Sequence, residues 1–249
     1  MKVVILAGGK GTRGKPYTEY FPKAMTPING KPLIDYVVRY LKSFKFIKEI
    51  IIISDYTGLG GQIKNYYGDQ KNIKFIQDSQ SGTGGDLLHI QKELKNESEF
   101  LLWFVDNLCA LDITKMRKTF KEKNSLACIA TRTKRKEETG FAVVDDGLIT
   151  EFKEKPMMKL QLSECLGIYM LRKEIIERIK KKKKKQVNLS FDILQELSKE
   201  GKVSAHNIEQ REWIDAESPM ILERNEKLVT KIIKPVSYTH LTLPTKRIV

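Results

Sequence analysis

Continuous apolar runs of strand length alternate along the chain with segments whose apolar residues recur every three or four positions. Val3-Val4-Ile5-Leu6, the run inside Glu49–Ser54 and Phe100–Val105 have the first pattern, that of strands covered on both faces, and Ile73-Lys74-Phe75-Ile76 reads as a further strand. Leu33, Ile34, Val37, Val38 and Leu41 have the second, which predicts a helix within 31–46. Further helices are predicted over 63–67, from about Asp86, and over 110–123, 174–185, 191–200 and 219–233. Strands are also predicted at Leu126–Thr131, Leu166–Leu171 and Gly201–His206. A hairpin follows from Gly140–Val144, the turn Asp145-Asp146-Gly147 and Leu148–Phe152. Strand, helix, strand, helix at this cadence predicts an α/β fold with a doubly wound, mostly parallel sheet. In such sheets ligands gather at the carboxyl ends of the strands.

The first strand runs directly into Leu6-Ala7-Gly8-Gly9-Lys10-Gly11-Thr12-Arg13. Glycines there let backbone N–H groups approach a polyphosphate, and Arg13 and Lys23 add positive charge. A dinucleotide fingerprint fits Gly9-x-Gly11-x-x-Gly14, and a Walker-type loop fits Gly9 to Lys15. Both need a helix that Pro16, Pro22 and Pro27 obstruct, and the second lacks its Ser or Thr after Lys15. The whole stretch, prolines included, resembles the signature of the sugar-phosphate nucleotidylyltransferases: Leu6-Ala7-Gly8-Gly9-x-Gly11-Thr12-Arg13-x-x-Pro16-x-Thr18, Pro22-Lys23, Lys31-Pro32-Leu33. Gly14 stands where that family usually has Leu.

That resemblance implies a nucleotide-diphospho-sugar transferase-like, Rossmann-type fold. It assigns Leu6, Ala7, Gly8, Gly9, Gly11 and Thr12 to the nucleotide, with Arg13 on the leaving pyrophosphate and Lys23 on the α-phosphate. Gln77 with Gly82-Thr83 resembles the family's Q-x4-G-T segment, which contacts the base. A Gln amide offers a donor and an acceptor and so suits an imide edge such as uracil or thymine. Asp106 follows an apolar strand, where phosphates converge, and Mg²⁺ is held by one or two carboxylates plus substrate phosphates. Trp213-Ile214-Asp215 resembles the family's W-x-D, whose Asp completes the metal site. The resemblance therefore implies Mg²⁺ on Asp106 and Asp215. Gly140 with Glu154-Lys155-Pro156, and Gly167 in Leu166-Gly167-Ile168-Tyr169, resemble the sugar-phosphate subsite.

The implied reaction joins a nucleoside triphosphate to a sugar 1-phosphate, with dTTP or UTP and glucose 1-phosphate as the leading pair. GTP with mannose or heptose 1-phosphate is the alternative. Val105, Cys165 and Glu217 replace the family's Gly, Asn and Gly, which motivates a third reading, an idle nucleotide-binding regulator.

Composition narrows the classes further. The 249 residues carry 45 basic and 31 acidic side chains, a net charge of +14 that suits anionic substrates as well as nucleic acid. Six successive lysines, Lys180 to Lys185, read as a solvated, frayed helix end. No aromatic residues interleave with them, which disfavours nucleic acid. The 3 cysteines lie far apart without metal-type spacing and are expected as reduced core residues of a cytoplasmic protein. No run reaches the roughly 18–20 apolar residues of a membrane span. The uncharged, Thr- and Leu-rich stretch after Pro235 reads as non-native or disordered, leaving 1–234 as the catalytic domain. Whether copies assemble into a homo-oligomer is left open.

Overall fold

The computed structural model describes residues 1–9, 11–209 and 211–232, apart from the Arg13 side chain. The expected domain boundary at 234 and the stretch after it lie outside the described residues.

A seven-stranded sheet organises the chain. Strand β1 (Lys2–Leu6) lies between β2 (Glu49–Ser54) and β4 (Glu99–Phe104), parallel to both, and β3 (Ile73–Gln77) extends the sheet beyond β2. On the other side of β4 runs β9 (Met157–Arg172), antiparallel to β4 and to β6 (Ala127–Lys136), with β10 (Val203–Asn207) parallel to β6 at the edge. The sheet is thus mostly parallel, as expected, with one reversed strand in its interior.

Alternate residues of each run leave the sheet on opposite sides, and both sides are covered. Val3, Ile5, Ile50, Ile52, Leu101 and Trp103 pack with α1 (Leu33–Lys42), α4 (Ile113–Glu122) and the C-terminal helices. Val4, Ile51, Ile53, Phe100 and Leu102 pack with α3 (Gly82–His89) and α5 (Ile175–Lys180). Double coverage explains why these strands read as unbroken hydrophobic runs. The remaining elements are α2 (Gly61–Tyr67), the short strand β5 (Asn107–Cys109), the hairpin β7 (Phe141–Asp145) and β8 (Leu148–Lys153), helix α6 (Gln195–Lys199), β11 (Trp213–Asp215), and α7 (Pro219–Arg224) with α8 (Glu226–Ile232).

Several local expectations are revised. Helix α3 starts at Gly82 rather than near Asp86, inside the glycine-rich turn. Helix α5 stops at Lys180, and the lysines after it form a reversal in which Lys182 pairs with Glu196 and Lys184 with Asp192. Carboxylates from the next helical segment therefore hold part of the run that reads as a frayed end. Strand β9 is far longer than its apolar half, Leu166–Leu171, because its first half projects from the core with β6. The same geometry corrects the cysteine expectation: Cys109 and Cys128 are buried, whereas Cys165 sits on the projecting half and is exposed.

Candidate functional site

The turn after β1 is shaped by what its glycines touch. Ala7 extends the strand ladder by donating its N–H to the Ile53 carbonyl (2.8 Å). Gly11 has a positive φ of 59°, and its carbonyl accepts from the Thr18 hydroxyl (2.7 Å). A Cβ on Gly11 or Gly14 would lie 2.8 or 2.7 Å from the Thr18 methyl. Both positions are therefore held small by one threonine, and this accounts for Gly14. A Cβ on Gly8 would meet the Asp78 carboxylate at 2.0 Å, so a negative charge borders the turn. Gly9 has open space around it. Thr12 lies in the short helical turn Thr12–Gly14, exposed, and Leu6 closes the strand, half-buried.

Lys23 opens the helical turn Lys23–Met25, whose Ala24 is fully buried and anchors the cation in place. Its Nζ lies 2.7 Å from Asp106 Oδ2, the two side chains being 13% and 29% exposed. Asp106 occupies the turn between β4 and β5, two residues past the strand end. Strand β5 pairs antiparallel with β11, placing Asn107 opposite Asp215, and the Ala216 N–H donates to the Asp106 carbonyl (2.7 Å). The two acids, remote in sequence, thus sit on adjacent strand ends.

Asn107, Arg132 and Glu164, which the sequence reading does not single out, join this cluster. Asn107 Nδ2 donates to Asp106 Oδ1 (2.8 Å), and its Oδ1 accepts from Trp213 Nε1 (3.0 Å). Arg132 stacks over the Trp213 ring at 4.3 Å and donates to Glu164 Oε2 (2.7 Å). Gly167, with φ 60°, leaves room for Asn107, since a Cβ there would lie 2.6 Å from its Nδ2. The available signal is compositional: the chain has only 2 tryptophans, and a buried indole N–H demands an acceptor.

The base-reading candidates are engaged within the fold. Gln77 Oε1 accepts from the Tyr56 N–H (2.9 Å) and its Nε2 donates to Asp55 Oδ1 (2.9 Å). Hydrogen bonds from Thr57 and then Gln77 hold the Asp55 carboxyl below its usual range. Gly82 has φ 82°, and a Cβ there would lie 2.7 Å from the Val187 carbonyl. Gly84 donates to that carbonyl (2.8 Å), and the Thr83 hydroxyl accepts from the Leu189 N–H (2.9 Å). The glycine–threonine pattern therefore seats the strap that follows the lysine run. Behind it, burial pushes the Asp86 carboxyl up, against hydrogen bonds from Ser79.

Gly140, Glu154 and Lys155 lie on the exposed β7–β8 hairpin and its stem. A Cβ on Gly140 would meet Phe152 at 2.4 Å and Glu154 Oε2 at 3.0 Å, and the Lys155 N–H donates to the Thr139 carbonyl (3.2 Å). The contacts these residues make are with the hairpin and its stem. The structure therefore gathers Lys23, Asp106, Asp215 and Gly167, while the hairpin group forms a second cluster.

Comparison with known proteins gives the family. A model of the family described as nucleotidyl transferase matches residues 2–227. The chain belongs to the nucleotidyl transferase family. It is 35% identical over 201 residues to a UTP–glucose-1-phosphate uridylyltransferase of Synechocystis, covering 72% of this chain and 51% of that one. It is also 35% identical over 181 residues to the D-glycero-α-D-manno-heptose 1-phosphate guanylyltransferase of Campylobacter jejuni, covering 70% and 77%. The chain thus spans about half the length of the cyanobacterial relative. Among solved structures, HddC from Yersinia pseudotuberculosis superposes with a TM-score of 0.69 at 24% identity, covering 91% of this chain and 98% of that one. A Bacillus anthracis structure assigned as a glucose-1-phosphate thymidylyltransferase superposes with a TM-score of 0.74 at 24% identity, covering 93% and 96%. These likenesses establish the fold that the transferase family shares.

Proposed function

We propose that this nucleotidyl transferase condenses a nucleoside triphosphate with a sugar 1-phosphate, releasing pyrophosphate. The observation that carries the reading is the Lys23–Asp106 pair, set at the end of the glycine turn with Asp215 on the neighbouring strand. A phosphate oxygen of the sugar 1-phosphate attacks the α-phosphorus, and the bond from that phosphorus to the pyrophosphate oxygen breaks. The attacking oxygen is already anionic, so no general base is needed. Catalysis then rests on alignment and charge neutralisation. Lys23 faces the α-phosphate, the turn from Gly8 to Thr12 cradles the phosphates, and Arg13 meets the departing pyrophosphate. Gly167 borders the sugar, and the hairpin supplies Glu154 and Lys155 to its hydroxyls and phosphate.

Asp106 and Asp215 are hard oxygen donors on adjacent strand ends, a set suited to Mg²⁺, which takes one or two carboxylates and completes its shell with phosphates and water. Among the described residues no group of three or more His, Cys, Asp or Glu side chains is arranged to hold a metal. When bound, such an ion would neutralise phosphate oxygens.

UTP or dTTP with glucose 1-phosphate is the leading pair, supported by the amide at Gln77 and by the uridylyltransferase relative. GTP with a heptose or mannose 1-phosphate is the second reading, favoured by the guanylyltransferase relative and by the bonds that already engage Gln77. No helix among the described residues is long and apolar enough to cross a membrane. Pyrophosphate release from a matrix of five nucleoside triphosphates and several sugar 1-phosphates tests the reading. Turnover of a pyrimidine nucleotide with glucose 1-phosphate is expected. Tight nucleotide binding without pyrophosphate from any pair would replace it with the regulator.

A further inference from the structure

Both tryptophans of the chain end on one residue. Trp103 Nε1 donates to the backbone carbonyl of Asn107 (2.7 Å), and Trp213 Nε1 donates to its side-chain Oδ1 (3.0 Å). Asn107 itself is 5% exposed. An indole N–H can only donate, so it dictates which end of the facing amide is oxygen. The amide nitrogen is thereby turned towards Asp106 Oδ1 (2.8 Å), with the Phe104 carbonyl as a second acceptor at 3.3 Å. Asp106 Oδ2 then faces Lys23. Outside this line, Arg132 over the Trp213 ring and its bond to Glu164 fix the indole, and Gly167 leaves the amide its space.

We propose that Asn107 is a positioning residue: Trp213 orients its amide, and the amide holds Asp106 so that the other carboxylate oxygen meets Lys23. The kinetic part of this inference rests on the proposed transfer reaction, in which Lys23 and Asp106 act. An amide held at both ends confines the Asp106 side chain to one rotamer before substrate arrives, and such preorganisation acts on the transition state more than on ground-state binding. Without the indole donor the amide can rotate by half a turn and present oxygen to oxygen. Without the amide nitrogen, Asp106 keeps Lys23 as its side-chain partner among the described residues.

The test uses the full chain with Asn107→Asp, Trp213→Phe and the double variant, each checked for native far-ultraviolet circular dichroism. Asn107→Asp keeps an acceptor for Trp213 and removes the donor to Asp106. It is expected to lower kcat by ~10–100-fold with KM for the nucleotide within ~3-fold, the signature of an interaction realised in the transition state. Trp213→Phe is expected to cost ~3–10-fold, and the double variant no more than ~2-fold beyond Asn107→Asp, because residues in one line couple. Effects that multiply, or that fall wholly on KM, would overturn the proposal.

A readout independent of turnover comes from the indole N–H signals of ¹⁵N-labelled protein. Trp213→Phe removes and so assigns one of the two. Asn107→Ser, which also serves should Asn107→Asp not fold, is expected to shift the Trp213 signal. An unmoved Trp213 signal would sink the contact whatever the kinetics show. Conversely, a wild-type chain that releases no pyrophosphate from any substrate pair defeats the proposed reaction, while the signal shift still decides whether Asn107 holds the indole.

Discussion

Lys23 Nζ and Asp106 Oδ2 stand 2.7 Å apart although 83 residues separate them in the chain. The pair joins the helical turn Lys23–Met25 to the turn that follows β4. It is partly shielded, with 13% and 29% of the two side chains exposed, so each group neutralises the other, and in the proposed reaction a substrate phosphate would compete for Lys23. Lys23 is then able to exchange one anionic partner for another without moving its backbone, which the buried Ala24 anchors.

Replacing Lys23 with Ala is therefore expected to lower the rate of pyrophosphate release by ~10²–10³, in line with loss of a single preorganised group. Circular dichroism of the variant should match wild type, because the pair is partly exposed and adds little to stability. Near-normal turnover would remove Lys23 from the reaction.

Gly82 tests the strap. Its positive φ and the Val187 carbonyl 2.7 Å from where a Cβ would sit leave no room for a side chain. Gly82→Ala should destabilise the protein by about 1–3 kcal/mol in urea unfolding, the cost of a strained backbone position. Nucleotide affinity should fall at the same time, since the glycine turn and the Val187–Leu189 segment share hydrogen bonds.

His206 gives a pH dependence. Burial pushes its imidazole below the ordinary value of 6.5, with Asp112 acting in the opposite direction. The unfolded chain therefore binds a proton at a pH where the folded chain does not. Its contribution to stability is complete above the unfolded value and is lost as pH falls below about 6.5, down to the lowered folded value. Thermal melts from pH 7.5 to 5.0 should show this loss, and His206→Gln should flatten the curve over the same window.

The thiols should separate by place. Cys109 and Cys128 are buried and Cys165 is exposed, so one thiol per native chain should react with a disulfide reagent and all 3 after unfolding. Burial and then the Glu164 carboxylate raise the Cys165 thiol, which should slow its reaction relative to a free thiol at neutral pH. More than one fast thiol in the native protein would contradict the placement of the other two.

What could be read beforehand follows the range of the interactions concerned. Strands β1, β2 and β4 were legible because burial on both faces writes an unbroken apolar run into contiguous residues. The glycine turn was legible because backbone approach restricts residue type locally. The lysine run is largely solvated, as its charge density predicts, but its pairing was not legible because Glu196 and Asp192, which hold Lys182 and Lys184, lie in the following segment. Gln77 illustrates the same limit. Its amide chemistry is plain in the sequence, but Tyr56 and Asp55 engage it only once β2 and β3 are side by side.

The sequence by itself determined the layered α/β architecture and the place of the glycine turn, since hydrophobic periodicity and backbone sterics act between near neighbours. Tertiary structure alone decided that Asp215 would lie beside Asp106, that two indoles would converge on Asn107, and that Gly82 would press against Val187. Those relationships depend on strand order and register, and no local stretch of chain carries the free energy that selects them.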